Sequence, residues 1–252
     1  MKTVKVMNTV IGDGIPKIVV PMVGKTSQEL IEEAKIVANC GADIIEWRVD
    51  FFEEVKQIDA VISVGKKIRQ LLSNIPILFT FRTKEEGGET ELSTEDYVEL
   101  NQVIISEALF ELNDIELFIG DKHVAQLVSC ANDKQVKVVM CNHDFDQTPS
   151  KQEIVHRLKK MQELGADICK IAVMPNNTTD VLTLLDATNE MQISFANRPI
   201  VTMSMGQLGM ISRVSGETFG SALTFGSAQT ASAPGQVPVS ELRNILTTLH
   251  NK

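Results

Sequence analysis

Lys170 stands in the middle of ICKIAV, residues 168–173, a run apolar enough for a strand aimed at a protein interior. Burying an ammonium group is costly unless it is paired or neutralised. A lysine in a partly dry site with cationic neighbours has a lowered pKa, and its neutral amine can attack a ketone or aldehyde to form a Schiff base. The iminium acidifies the adjacent C–H. A histidine nearby can take that proton and return it to a leaving hydroxyl, and His143, in CNH, is the candidate. Arg48, Arg82 and Arg213 offer forked donors of the kind that hold a carboxylate. Together these parts suit a lyase or aldolase acting on a keto acid, with no metal and no organic cofactor.

Positioning them requires a particular order of elements. Strand candidates are residues 17–23, 43–49, 76–82, 115–119, 136–143, 168–173, 199–205 and 221–225. Helical patterns occupy 27–39, 94–109, 151–164 and 179–197. Alternating strands and helices imply parallel pairing with right-handed crossovers. Eight such units in 252 residues is the size of a single (β/α)8 TIM barrel spanning residues 1–252. A doubly wound open sheet is the alternative. The segment before Lys17 predicts a β-hairpin, with residues 3–8 followed by a turn at Gly12-Asp13-Gly14, closing the barrel floor. The tetrapeptide GADI occurs at 41–44 and again at 165–168, each time where a helix ends at Gly and a strand begins.

Catalysis in such barrels sits at the C-terminal ends of the strands. Glu46-Trp47-Arg48, Arg82, His143 and Arg213 all fall at or after such ends. Strand alternation puts Glu46 and Arg48 on one face and Trp47 on the other. Counted from the Asp of each GADI, Glu46 and Lys170 occupy the same position. They come from the second and sixth strands, so both should point into the barrel at similar height. Any one strand-end cation is ordinarily a solvated tip, and Glu46 with Lys170 could be a plain buried ion pair. Five candidates at one end of one barrel argue for a site. His123, His156 and His250 lie in polar helical surroundings and read as solvated.

The bulk composition excludes some partners. A net charge of -9 argues against general affinity for nucleic acid or anionic membranes, but not against a small anionic substrate. The N-terminal MKTVKVMNTVIGDGIPK has no signal-peptide core, no apolar run approaches membrane-spanning length, and the chain reads as cytoplasmic. Cys40, Cys130, Cys141 and Cys169 lack CxxC spacing and read as reduced thiols. Neither HExxH nor a dinucleotide or Walker loop is present. The stretch GSAQTASAPGQVP, residues 226–238, fits a mobile lid or an ordinary surface loop.

These residues also resemble a family. EWRVD (46–50), FTFR with EGGE (79–82, 86–89), NHDF (142–145), KIAVMP (170–175), MSMG with ISR (203–206, 211–213) and SAPGQ (232–236) are similar to type I 3-dehydroquinate dehydratase, in the family's order along the whole chain. The resemblance implies a Schiff base from Lys170 to 3-dehydroquinate, with His143 as general base and acid assisted by Glu86. It implies substrate contacts from Glu46, Arg48, Arg82, Arg213, Ser232 and Gln236, and formation of 3-dehydroshikimate in the shikimate pathway of aromatic amino acid biosynthesis. It also implies a homodimer. Pro21, where family members often have Ser, and residues 205–209 depart from the pattern. Competing readings are a class I aldolase or transaldolase on sugar phosphates, which shares the lysine, and a non-catalytic metabolite-binding barrel.

Overall fold

The computed structural model describes residues 3–228 and 237–250. A short antiparallel hairpin, β1 (Val4–Val6) and β2 (Thr9–Ile11), opens the chain. Then follow β3 (Lys17–Met22), α1 (Ser27–Val37), β4 (Ile44–Arg48), α2 (Ile58–Leu71), β5 (Ile77–Thr80), α3 (Thr94–Glu107), β6 (Leu112–Glu116), α4 (Asp121–Lys134), β7 (Lys137–Asp144) and α5 (Lys151–Glu163). The second half continues with β8 (Ile168–Val173), α6 (Thr178–Glu190), β9 (Ile200–Ser204), α7 (Met210–Val214), α8 (Gly216–Phe219), β10 (Leu223–Ser227), β11 (Val237–Pro238) and α9 (Val239–His250).

Strands β3 to β9 pair in sequence order, all parallel, and β10 returns to pair with β3. The parallel bridge Ile200↔Ser221 joins the β9 and β10 sides, and Ser221 Oγ accepts from the Thr202 amide at 3.0 Å. Closure makes this the expected (β/α)8 barrel and rules out the open sheet. Two local expectations shift. The fourth barrel strand is Leu112–Glu116, not 115–119, because residues 117–119 turn into a single helical turn after the strand. The helix expected over 179–197 ends at Glu190, and the chain continues through a wider π-turn, Met191–Phe195.

The hairpin is present, but its reversal falls at Met7-Asn8 rather than at Gly12-Asp13-Gly14. Val4, Val6 and Ile11 pack against inward-facing Val19, Ile44, Leu78, Leu112, Val139, Ile168, Val201 and Leu223, so it closes the barrel floor. Each such side chain contributes roughly 1.5–3 kcal/mol of burial. A second apolar layer lies between strands and helices; there Trp47 meets Phe79 and Phe110 edge-on, with ring centroids 5.7 and 5.9 Å away. Among the described residues no helix is long and apolar enough to cross a membrane.

The GADI repeat has a physical basis. Gly41 and Gly165 take the left-handed conformation (φ +83° and +93°) that ends α1 and α5. The aspartate two residues on then accepts the amide of the neighbouring strand. Asp43 accepts from Ile18 at 2.7 Å, and Asp167 accepts from Val138 at 2.9 Å. Glu111 does the same for Ile77 at 2.9 Å. Side chains at the floor thus take up strand amides and set the register that aims residues further along each strand.

Candidate active site

Two residues along each strand, the barrel interior changes character. Ile44 is followed on the inner face by Glu46, Leu78 by Thr80, Leu112 by Asp114 and Glu116, Val139 by Cys141 and His143, and Ile168 by Lys170. The expected facing of Glu46 and Lys170 holds: Lys170 Nζ lies 3.8 Å from Glu46 Oε1. Glu46 Oε1 also accepts from Thr80 Oγ1 at 3.0 Å. The amine is 3% exposed, sits 3.5 Å from Asp114 Oδ2, and faces the Phe225 ring at 4.8 Å from its centroid. The expectation of cationic neighbours is corrected here, since the groups nearest the amine are two carboxylates. A strand starting at Ile115 leaves Asp114 outside it and sets Glu116 among apolar residues, so neither stands out in the sequence. Reading alternation from Leu112 would have put both on the inner face.

His143 lies on β7, one strand from Lys170, with Cys141 directly opposite Lys170 in the pairing. Its Nδ1 is 2.9 Å from Glu86 Oε2, which also accepts the His143 amide at 2.8 Å. Asn142 Nδ2 donates to Glu86 Oε1 at 3.0 Å. Glu86, in a charged stretch that reads as solvated, is in fact buried. The following glycines allow this. Gly87 has φ +85°, and a Cβ there would run into the Phe145 ring, while one on Gly88 would strike the Arg82 carbonyl. Burial pushes Glu86 up to about 8, with Glu116 adding to the shift and Arg82, Asn142 and the His143 amide opposing it. Burial likewise holds His143 well below its ordinary value, reinforced by Arg82, Lys170 and Arg48. The imidazole is therefore neutral, and in the tautomer whose Nδ1–H donates to Glu86 its Nε2 accepts a proton.

Arg82 is the hub of the site. Its Nη2 donates to Asp114 Oδ1 at 2.8 Å, and its Nη1 donates to Glu116 Oε1 at 2.7 Å and to Cys141 Sγ at 3.0 Å. Nη1 is also 3.7 Å from Glu86 Oε2. Glu86, Cys141 and His143 bring atoms that could ligate a metal within 4.8 Å of one another. The Arg82 guanidinium lies among them, and burial pushes the Cys141 thiol well up, away from the thiolate that a metal prefers. The group fits an arginine better than a metal ion.

Arg48 holds Asp50 with two hydrogen bonds of 2.8 Å. Arg213 comes from α7, is 3% exposed, and has its Nη1 4.0 Å from Met203 Sδ; burial pulls it down to about 10. One cavity of about 140 Å³ brings together Lys170, His143, Glu86, Glu46, Arg48, Arg82 and Arg213. Phe51, Phe145, Met203, Met205 and Phe225 supply its apolar wall. Ser232, Gln236 and residues 229–236 of the expected lid lie outside the described residues. Both ends of that segment are anchored, since Val237 in β11 pairs with Gly226 in β10. Of the three histidines read as solvated, His156 is exposed and His250 meets Glu217 at 2.8 Å, while His123 is half-buried.

An amine held dry at the mouth of a parallel barrel, with a neutral imidazole beside it, defines a class of enzyme that works on carbonyl compounds through an imine. A family model described as Type I 3-dehydroquinase matches residues 18–252, and the chain belongs to that family. It is 52% identical over 251 residues to the 3-dehydroquinate dehydratase of Clostridium novyi, covering 100% of this chain and 99% of the relative. The Salmonella agona enzyme is 52% identical over 250 residues, covering 99% of each. The crystal structure of the type I 3-dehydroquinate dehydratase from Clostridium difficile, covalently modified with comenic acid, superposes with a TM-score of 0.97 at 53% identity. That alignment covers 99% of this chain and 98% of the other.

Proposed function

We propose that this chain, as one barrel domain, dehydrates 3-dehydroquinate to 3-dehydroshikimate, the third step of the shikimate pathway. The observation that carries the reading is Lys170 buried in the cavity beside the Glu86–His143 pair. The Lys170 amine attacks the substrate ketone, and the carbinolamine loses water to give the iminium. His143 takes a proton from the carbon next to it, forming an enamine. Electrons then return from the enamine nitrogen, the β-hydroxyl leaves, and the imidazolium gives it the proton. Hydrolysis of the iminium frees the amine, so the net change is loss of one water. Glu86 engages Nδ1 and so holds the ring in place while His143 exchanges the proton.

Arg213 is the partner for the substrate carboxylate, and its burial favours a paired anion over solvent. Glu46, Arg48 and Arg82, with Ser232 and Gln236, contact the substrate hydroxyls and carbonyl. No metal or organic cofactor takes part, because the iminium supplies the electron sink. The enzyme acts in the cytoplasm as a homodimer, which sedimentation would check. The activity is tested by adding 3-dehydroquinate and following the absorbance of the conjugated enone. Turnover of a sugar phosphate instead would favour the aldolase reading, and tight binding without turnover the binding barrel.

A further inference from the structure

Asp114 has no place in the chemistry above, yet it touches Arg82, Cys141 and the reacting amine of Lys170. It is fully buried on β6. Oδ1 accepts from Arg82 Nη2 at 2.8 Å and from the Cys141 thiol at 3.0 Å. Oδ2 faces Lys170 Nζ at 3.5 Å. It is not part of the cavity wall, whereas Glu46, the other carboxylate near Nζ, is. Asp114 therefore approaches the nitrogen from behind, and Glu46 from the side the substrate enters.

We propose that Asp114 is a positioning residue: it fixes the nitrogen of Lys170, and of the imine formed there, and ties that nitrogen to Arg82. The proposal rests on the Schiff-base reading. An ammonium has three N–H donors and can satisfy both carboxylates. The iminium keeps a single N–H in the plane of the C=N bond. Whichever acceptor takes that hydrogen sets the plane, and so decides which neighbouring C–H stands perpendicular to it, ready for removal. Asp114 suits this task because Arg82 and Cys141 restrain it. Burial alone would raise its pKa, but Arg82 and Lys170 hold it below the ordinary range, so it stays a carboxylate. The Phe225 ring at 4.8 Å favours the cation without competing for the hydrogen.

Charged and titratable groups around Nζ come from several elements: Glu46 on β4, Arg82 after β5, Asp114 on β6, Cys141 and His143 on β7, and Arg213 on α7. Two substitutions move Asp114's influence in opposite directions. Asp114→Asn removes a counter-charge, so Lys170 gives up its proton more readily. Cys141→Ala removes a donor from Asp114 and leaves more of the carboxylate's charge to the amine.

The test is the rate of borohydride-trapped adduct formation with 3-dehydroquinate, measured against pH, beside steady-state turnover. For Asp114→Asn the acid limb of trapping moves to lower pH. The adduct still accumulates, while turnover falls on the order of 10²-fold, the scale of a misplaced reacting group. For Cys141→Ala the limb moves to higher pH. These opposed shifts would not arise from a merely structural role. Thermal unfolding shows whether Asp114→Asn has folded; if it has not, the Cys141→Ala limb decides, and an unmoved limb overturns the proposal. A folded Asp114→Asn with the wild-type limb and turnover also overturns it. Failure of the wild-type enzyme to trap at all overturns the Schiff-base reading itself, and the positioning role with it.

Discussion

The floor and the mouth of this barrel are built from the same strands, one inward-facing position apart, and follow opposite rules. At the floor, Val19, Ile44, Leu78, Leu112, Val139 and Ile168 meet the hairpin's Val4, Val6 and Ile11. At the mouth, Glu46, Asp114, Glu116, Lys170 and Arg82 are as buried as that apolar layer, none more than 4% exposed. Apolar burial holds the floor. Burial works against the mouth, where each charge is tolerable only because an opposite charge lies beside it. Stability and activity are thus held in adjacent layers of one tube, and substitutions should separate them.

Removing the proton carrier gives the largest effect at the mouth among the supporting residues. His143→Ala should lower turnover by about 10²–10⁴-fold, the usual worth of general acid–base catalysis, while Schiff base still accumulates. A near-normal rate would remove His143 from the mechanism. Arg213→Ala comes next. It should weaken substrate binding by about 2–5 kcal/mol, and Arg213→Lys should recover only part because the fork is lost. Equal affinities by calorimetry would place the substrate carboxylate elsewhere.

The floor should behave in the reverse way. Ile11→Ala should cost about 2–5 kcal/mol in urea unfolding and leave kcat/KM unchanged at temperatures where the protein stays folded. A loss of activity without a loss of stability would mean that the two layers are coupled. The subtlest comparison uses Glu86. Its native pKa of about 8 lies above the ordinary 4.5, so the native state holds a proton that the unfolded chain releases between those values. Its contribution to stability is fully present at low pH and is lost as pH rises through that window. Glu86→Gln removes the titration. Relative to wild type, the variant should therefore gain stability between pH 4.5 and 8 even as its turnover drops. A difference that stays constant with pH would mean that Glu86 is ionised throughout.

Much of the mouth can be read in one dimension because strand alternation is local. Position within GADI was enough to face Glu46 toward Lys170, and the same glycine ended both helices. What escaped the linear pattern depends on contacts across strands. Asp114 and Glu116 sit in LNDIELFI, where the apolar run after them draws the strand three residues too far along. Their burial is tolerated by Arg82, thirty-odd residues earlier, and no periodicity signals that pairing. For the same reason Lys170 was expected among cations, since a sequence gives charges but not distances. The hairpin reversal at Met7-Asn8 was hidden by the stronger turn signal of Gly12 and Gly14, and Met7 adopts φ +50° without a glycine. Ser232 and Gln236 rest on family resemblance alone.

The central claim is that Lys170 forms a covalent imine with the substrate. Incubation with 3-dehydroquinate and borohydride, followed by proteolysis and mass spectrometry, tests it directly. The account predicts a reduced adduct on the peptide that contains Lys170, and neither adduct nor turnover in Lys170→Ala. An adduct mapped to Lys84 or Lys122, or full turnover by Lys170→Ala, would contradict it.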